Sequence, residues 1–190
     1  MCKICNENPV YEFTNKRKLC KGCFVKYFHK KSLFILRKWD MVKHGDKVFY
    51  ENKSDLKGVV LGSVLRILEE KGVIEIVKKK ESANKIAVGD SIDENAYFVI
   101  ERLINGSAKE VEKISPVEKL KSKNKIIIKP LYLFLDEEIM LYARIKKLKF
   151  KIKKEKSGKV EKFVDDLEKK HKHAEVKRAV INGYLELYGK

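Results

Sequence analysis

Four cysteines near the start of the chain are the residues most clearly suited to chemistry. They form two Cys-x2-Cys pairs separated by fourteen residues, and the four candidate ligands are Cys2, Cys5, Cys20 and Cys23. Each pair can place two thiolates on one tetrahedral ion, and the loop between the pairs is long enough to fold back as a hairpin. The spacing is typical of a zinc ribbon. Because four thiolates fill every position on the ion, we expect its role to be structural.

Two other uses of these cysteines are open from the sequence alone. Disulfides are the first, although a reducing cytoplasm disfavours them. An iron–sulfur cluster is the second, since four thiolates also hold such clusters. Of the three, the spacing favours zinc, and we expect no iron–sulfur cluster.

Basic side chains are the second chemical feature. The 190 residues include 44 Lys and Arg against 27 Asp and Glu, which gives a formal net charge of +17. The excess lies at the two ends: residues 1–50 carry +8, residues 143–190 carry +9, and residues 51–142 are neutral. Two basic ends around a neutral centre indicate a polyanionic partner, with solubility as the plainer explanation. Only six of the basic residues are Arg, so phosphates are met mainly by lysine point charges.

Candidate contacts to RNA come from one predicted helix and one lysine-rich run. The helix covers residues 24–39, where apolar residues recur every three or four positions. The run extends from Lys146 to Lys159, and a solvated surface without a ligand is its alternative interpretation. The predicted RNA-binding residues are Lys26, Lys30, Lys31, Arg37, Lys38, Lys146, Lys147, Lys149, Lys151, Lys153 and Lys154.

Strands and helices alternate through the rest of the chain. The pattern predicts strands at 47–50, 73–77, 86–88 and 125–130, and helices at 56–70, 96–104, 135–147 and 163–188. This alternation favours an α/β fold with a mainly parallel sheet that binds ligands at its strand ends. The sequence has no apolar run of membrane-spanning length and no apolar export segment after Met1, so we expect a cytoplasmic protein with no membrane partner.

Three segments, in order, resemble the PP-loop tRNA thiolation proteins. Leu19–Lys30 with Gly45–Val48 resembles the zinc knuckle, following helix and first strand of wobble-uridine thiolases. Ile86–Ala96 resembles the family's strand-loop-helix segment, and Lys129–Tyr142 resembles its later segment. The resemblance implies a reduced, degenerate PP-loop α/β domain. It divides the chain into a zinc ribbon, a linking basic helix, the PP-loop domain and a basic helical segment, at residues 1–24, 25–44, 45–150 and 151–190.

The segment after the first strand departs from the family pattern. Catalytic members carry Ser-Gly-Gly-Lys-Asp-Ser there, whereas this chain has Tyr50-Glu-Asn-Lys-Ser-Asp55. Without glycines the backbone cannot approach phosphates closely, so we expect no bound ATP. Residues 24–190 also contain no cysteine that could carry sulfur or hold a cluster. The predicted degenerate nucleotide site consists of Lys53, Ser54, Asp55 and Asp93.

These departures resemble the non-catalytic subunit of the cytosolic thiouridylase pair. The resemblance implies a protein that is not an enzyme and has no small-molecule substrate of its own. It would bind tRNA and a catalytic PP-loop thiolase in wobble-uridine 2-thiolation. One alternative is a free-standing RNA-binding or ribosome-associated zinc protein that reuses the fold. Another is an enzyme with an unusual nucleotide site built from the four residues named above.

Overall fold

The chain begins with a short hairpin between the two cysteine pairs. In the computed structural model, which describes residues 1–51, 53–120, 125–151, 158–170 and 175–188, strands β1 (Tyr11–Glu12) and β2 (Lys18–Leu19) pair antiparallel. Helix α1 (Lys21–Lys38) follows at once and includes Cys23. Its apolar residues recur every three or four positions, so one side of the helix is buried. The hairpin and the helix therefore form one continuous unit.

The described residues contain a second sheet of five strands, in the spatial order β4-β3-β5-β7-β6. Four strands are parallel, namely β3 (Asp46–Tyr50), β4 (Ile74–Ile76), β5 (Lys85–Ala87) and β7 (Lys125–Ile128). The edge strand β6 (Val117–Leu120) runs antiparallel to β7. The predicted α/β fold with a mainly parallel sheet is confirmed. Strand β6 was not predicted, because four residues alternate too briefly to give a pattern.

Two helices connect the parallel strands. Helix α2 (Leu56–Glu70) leads from β3 to β4, and α3 (Ile92–Ile104) follows β5 on the way to β7. The connections run in opposite directions along the sheet, and right-handed crossovers then place their helices on opposite faces. The direction reverses between β3 and β5. Sheets of this kind have a crevice beyond the strand ends at that point.

The remaining helices are α4 (Asp136–Ile145), α5 (Lys159–Lys170) and α6 (Val176–Tyr188), with 3₁₀ turns at Lys80–Ser82 and Ala108–Ile114. The periodicity predicted over 163–188 corresponds to parts of α5 and α6.

Two hydrophobic clusters hold these elements together. Buried residues of the hairpin, α1, α2 and α4 form one cluster, and buried residues of α3 and α6 contribute to the other. Because the first cluster includes Cys2 as well as Val48 of the sheet, the cysteine region packs directly with the α/β domain. The predicted domain boundaries stay predictions. In the described part of the chain, no helix is both long and apolar enough to cross a membrane.

Candidate functional site

The four cysteine sulfurs meet in one cluster, as the spacing predicts. All four Sγ atoms lie within 4.8 Å of one another, and Cys5 Sγ is 3.3 Å from Cys20 Sγ and 3.6 Å from Cys23 Sγ. Cys5 is exposed and the other three are buried. Backbone amides, that of Ile4 foremost, lower the pKa of Cys2 to about 6. Burial raises the pKa of Cys23 to about 12, so a bound metal must displace a firmly held proton there.

Aromatic rings fix this cysteine cluster against α1. The Tyr11 ring lies 5.1 Å from the Phe24 ring, and the Phe13 ring lies 5.0 Å from the Tyr27 ring. The Arg17 guanidinium stacks 4.2 Å above Phe13. Each aromatic contact adds roughly 0.5–1.5 kcal/mol beyond the burial of its area. The hairpin is thus positioned by packing as well as by any metal at its base.

A buried carboxylate joins α1 to α4. Glu138 is fully buried, and its two oxygens lie 3.0 and 2.8 Å from Lys31 Nζ. The Tyr27 hydroxyl donates to the same carboxylate at 3.0 Å, and the Leu135 amide donates at 2.9 Å. Burial lowers the pKa of Lys31 to about 8, although Glu138 acts in the opposite direction. The ion pair with Glu138 accounts for the position of the Lys31 ammonium, and its predicted contact with RNA stays a prediction.

The other predicted RNA contacts lie at the surface wherever the structure describes them. They belong to α1 and to the segment that follows α4. The exposed residues are Lys26, Lys30, Arg37, Lys38, Lys146, Lys147, Lys149 and Lys151. Lys153 and Lys154 lie outside the described residues. The role of all these residues in RNA binding stays a prediction.

A cleft of about 560 Å³ lies at the carboxyl ends of β3 and β5. We call it the strand-end cleft. Lys53 and Asp55 of the predicted nucleotide site line it, while Ser54 is exposed and its carbonyl accepts the Lys151 amide at 2.6 Å. The Asp55 carboxylate caps α2 by accepting the Gly58 amide at 2.8 Å. A phosphate at this helix start would have to displace that carboxylate.

Lys57 is the principal cation of the strand-end cleft. Its ammonium lies 2.9 Å from Glu94 and 2.9 Å from Asp136, and it donates to the Ser91 hydroxyl at 3.0 Å. Burial acts against its charge, yet Asp136 and Glu94 raise the pKa of Lys57 above its ordinary value. Sequence reasoning missed this role, because the partners of Lys57 come from two other helices.

Asp93 is not among the described residues that line the strand-end cleft, and its assignment to the nucleotide site stays a prediction. Its carboxylate accepts from Lys177 Nζ at 2.8 Å and from the Asp136 amide at 2.8 Å. Lys177 also lies 2.8 Å from Asp165 and 3.3 Å from Glu168. These contacts place one ammonium among three carboxylates. Asp93 therefore anchors α6 and α5 to α3.

A second cavity, of about 520 Å³, lies between α1, α2 and the end of α4. We call it the basic pocket and define it by His29, Ser63, Arg66, Tyr142, Lys146 and Lys149. Sequence reasoning found its two lysines and missed the other four residues. Nothing in the sequence links them, because they come from three separate helices.

Comparison with known proteins finds similarity among solved structures. The sequence matches no protein-family model and no curated protein. Among solved structures, the chain is similar to the U34-tRNA thiolase NcsA from Methanococcus maripaludis with its [4Fe-4S] cluster. The TM-score is 0.75 at 19% sequence identity, and the match covers 99% of this chain and 87% of that chain. This chain has a PP-loop thiolase fold.

The match contradicts two predictions. We expected a protein that is not an enzyme, but the similar structure is a thiolase. We also expected structural zinc, with neither ATP nor an iron–sulfur cluster, but that thiolase carries a [4Fe-4S] cluster and the four cysteines here lie together. The donor chemistry explains the second error. Four cysteine thiolates serve both single tetrahedral ions and [4Fe-4S] clusters, so Cys2, Cys5, Cys20 and Cys23 suit an iron–sulfur cluster too.

Proposed function

We propose that this protein binds tRNA and takes part in the thiolation of uridine at the wobble position. The observation that carries the proposal is the fold match over 99% of the chain to a thiolase of U34 in tRNA. The basic surface supports it independently, because a net charge of +17 favours an anionic partner. Exposed lysines on α1 and after α4 suit contacts to the RNA backbone.

We further propose that the protein works with a PP-loop thiolase subunit. The charge distribution suggests that different surfaces contact the RNA and the partner subunit. The basic ends suit RNA, whereas residues 51–142 carry no net charge and suit a protein partner. Affinity purification of the full chain from its own cells tests the proposal, with partners identified by mass spectrometry. Repeated recovery of bound RNA without a thiolase would contradict it and favour a free-standing RNA-binding protein.

The four cysteines form the proposed metal centre. Their sulfurs are within 4.8 Å of one another, and the centre would join the first residues of the chain to the start of α1. Anaerobic purification followed by iron, zinc and sulfide analysis identifies the group. We expect Cys20→Ser to lose the bound metal, with Ser32→Ala on the same helix as a control. Unchanged metal content in Cys20→Ser would contradict the assignment.

The role in thiolation is tested in cells. Deletion of the gene should lower 2-thiouridine at position 34 of tRNA, measured by mass spectrometry of digested tRNA, and the intact gene should restore it. Modified nucleosides formed by unrelated enzymes serve as the internal control. Unchanged 2-thiouridine in the deletion strain would contradict the proposal, even if the purified protein binds RNA.

A further inference from the structure

The basic pocket contains a chain of three polar side chains. His29 Nε2 lies 2.9 Å from the Tyr142 hydroxyl, which lies 3.2 Å from the Ser63 hydroxyl. The Tyr142 ring is held in place by stacking on Phe28, with ring centroids 4.0 Å apart. The three groups come from α4, α1 and α2, so packing of these helices fixes their positions. They present hydroxyl and imidazole groups to the cavity.

The floor of the basic pocket is formed by small residues of α2. Gly58 and Gly62 both line it. A Cβ atom at Gly62 would lie 2.8 Å from the Tyr50 hydroxyl, so glycine is required for Tyr50 to occupy its place beside the cavity. A Cβ atom at Gly58 would lie 2.6 Å from the Lys53 carbonyl oxygen, so both glycines allow close packing of α2 at this wall of the pocket.

Three cations surround this space. Arg66, Lys146 and Lys149 line the pocket and are exposed. Among the residues that the structure describes, no carboxylate lies within 4.0 Å of their charged nitrogens, although Glu70 also lines the cavity. Unpaired cations that converge on a cavity with hydroxyl donors match a tetrahedral anion, and Arg suits phosphate geometry especially well.

We infer that the basic pocket binds a phosphoryl group, with Arg66, Lys146 and Lys149 neutralising it and the Ser63 hydroxyl donating to it. The pocket and the strand-end cleft share Gly58 in their linings but differ in their cations, since Lys57 in the cleft already contacts carboxylates. The phosphoryl group can belong to the RNA backbone or to a free phosphate ester. The RNA source rests on the proposed function, whereas the anion site itself does not.

The first experiment measures binding of an unmodified tRNA transcript to the full chain. The pocket variant Arg66→Gln/Lys149→Gln is compared with Lys78→Gln/Lys79→Gln, which removes the same charge from an exposed segment after β4. We expect the pocket variant to weaken binding about tenfold or more and to reduce the salt slope by about 0.7–0.9, the contribution of one phosphate contact. The control should change affinity by less than about threefold.

The second experiment titrates the full chain with inorganic phosphate and follows the His29 ring resonances by NMR. We expect saturable shifts that are lost in the pocket variant and kept in the control. Phosphate-dependent shifts with equal tRNA affinity in both variants would support the site and assign it to a free phosphate ester. No shifts, together with equal tRNA affinity, would overturn the inference. If the protein binds no tRNA at all, the proposed function fails and the phosphate titration alone decides.

Discussion

The strand-end cleft and the basic pocket differ in what their cations contact. In the cleft, Lys57 contacts two carboxylates. Asp90, which also lines the cleft, lies 3.2 Å from Lys129, and Lys129 lies 2.7 Å from Glu118. In the pocket, Arg66, Lys146 and Lys149 have no carboxylate at ion-pair distance among the described residues. The two cavities have similar volumes, about 560 and 520 Å³, so size does not distinguish them.

This difference separates cations that hold the fold from cations that are free to bind. A partly buried cation with carboxylate partners contributes to stability, because its removal leaves negative charges unpaired. An exposed cation without a partner contributes little and repels its neighbours. Removal of a paired lysine should therefore cost stability, and removal of an unpaired one should cost only affinity for anions.

The largest effect should come from Lys177, a buried lysine that contacts three carboxylates among the described residues. Lys177 is 7% exposed and lies among three carboxylates. Lys177→Met leaves the buried Asp93 without its cation and should lower the free energy of unfolding by about 3 kcal/mol. Urea denaturation measures the loss. Lys169→Met, on the exposed side of α5, should change it by less than about 0.5 kcal/mol.

The second-largest effect on stability should come from Lys57, which permits a direct comparison of the two cavities. Lys57→Met should lower the free energy of unfolding by about 1–2 kcal/mol, since Glu94 and Asp136 would repel each other. Lys149→Met should leave it within about 0.5 kcal/mol, because Lys149 is exposed. Equal losses in the two variants would contradict the distinction between paired and unpaired cations.

The polar chain of the basic pocket should contribute less. Tyr142→Phe keeps the stacked ring but removes the hydroxyl that contacts His29 and Ser63. We expect a loss of about 1 kcal/mol in thermal or urea unfolding. Tyr188→Phe, which changes an exposed tyrosine, is the matched control. A similar loss in both variants would mean that the hydrogen bonds among His29, Tyr142 and Ser63 add nothing to the free energy of unfolding.

The smallest effect concerns pH. Burial lowers the pKa of His29, and repulsion from Lys146 and Lys71 adds to the shift. The unfolded state, with an ordinary pKa of about 6.5, then binds the proton more readily than the folded state, so this contribution to stability is present above about pH 6.5 and lost as pH falls below it. His29 also faces Arg66, Glu70 and the polar chain.

The variant His29→Gln tests the sign of this shift. It should lose less stability than the wild type between about pH 7 and about pH 5.5, by less than about 1 kcal/mol. Other groups titrate in both proteins, so the difference between the two curves isolates His29. A larger loss in the variant would show that the folded state favours the charged ring.

The sequence predicted helices and strands better than it predicted which charged side chains form ion pairs. Apolar periodicity located α2 correctly at residues 56–70, because its buried residues lie on one helical face. The cysteine spacing located a metal-binding cluster but not the metal, since thiolates serve several metals. The ion pairs of Lys31 with Glu138 and of Asp93 with Lys177 were not predicted, because the partners lie far apart along the chain. Only tertiary packing shows which charges are paired.

The most direct test of the account is tRNA binding by the full chain as salt concentration rises. If exposed, unpaired cations bind the RNA backbone, the logarithm of the association constant should fall linearly with the logarithm of salt. Each phosphate contact should add about 0.7–0.9 to the slope, and contacts from both basic ends should give a slope of several units. A flat dependence, or no binding at low salt, would contradict the proposal that this protein binds tRNA.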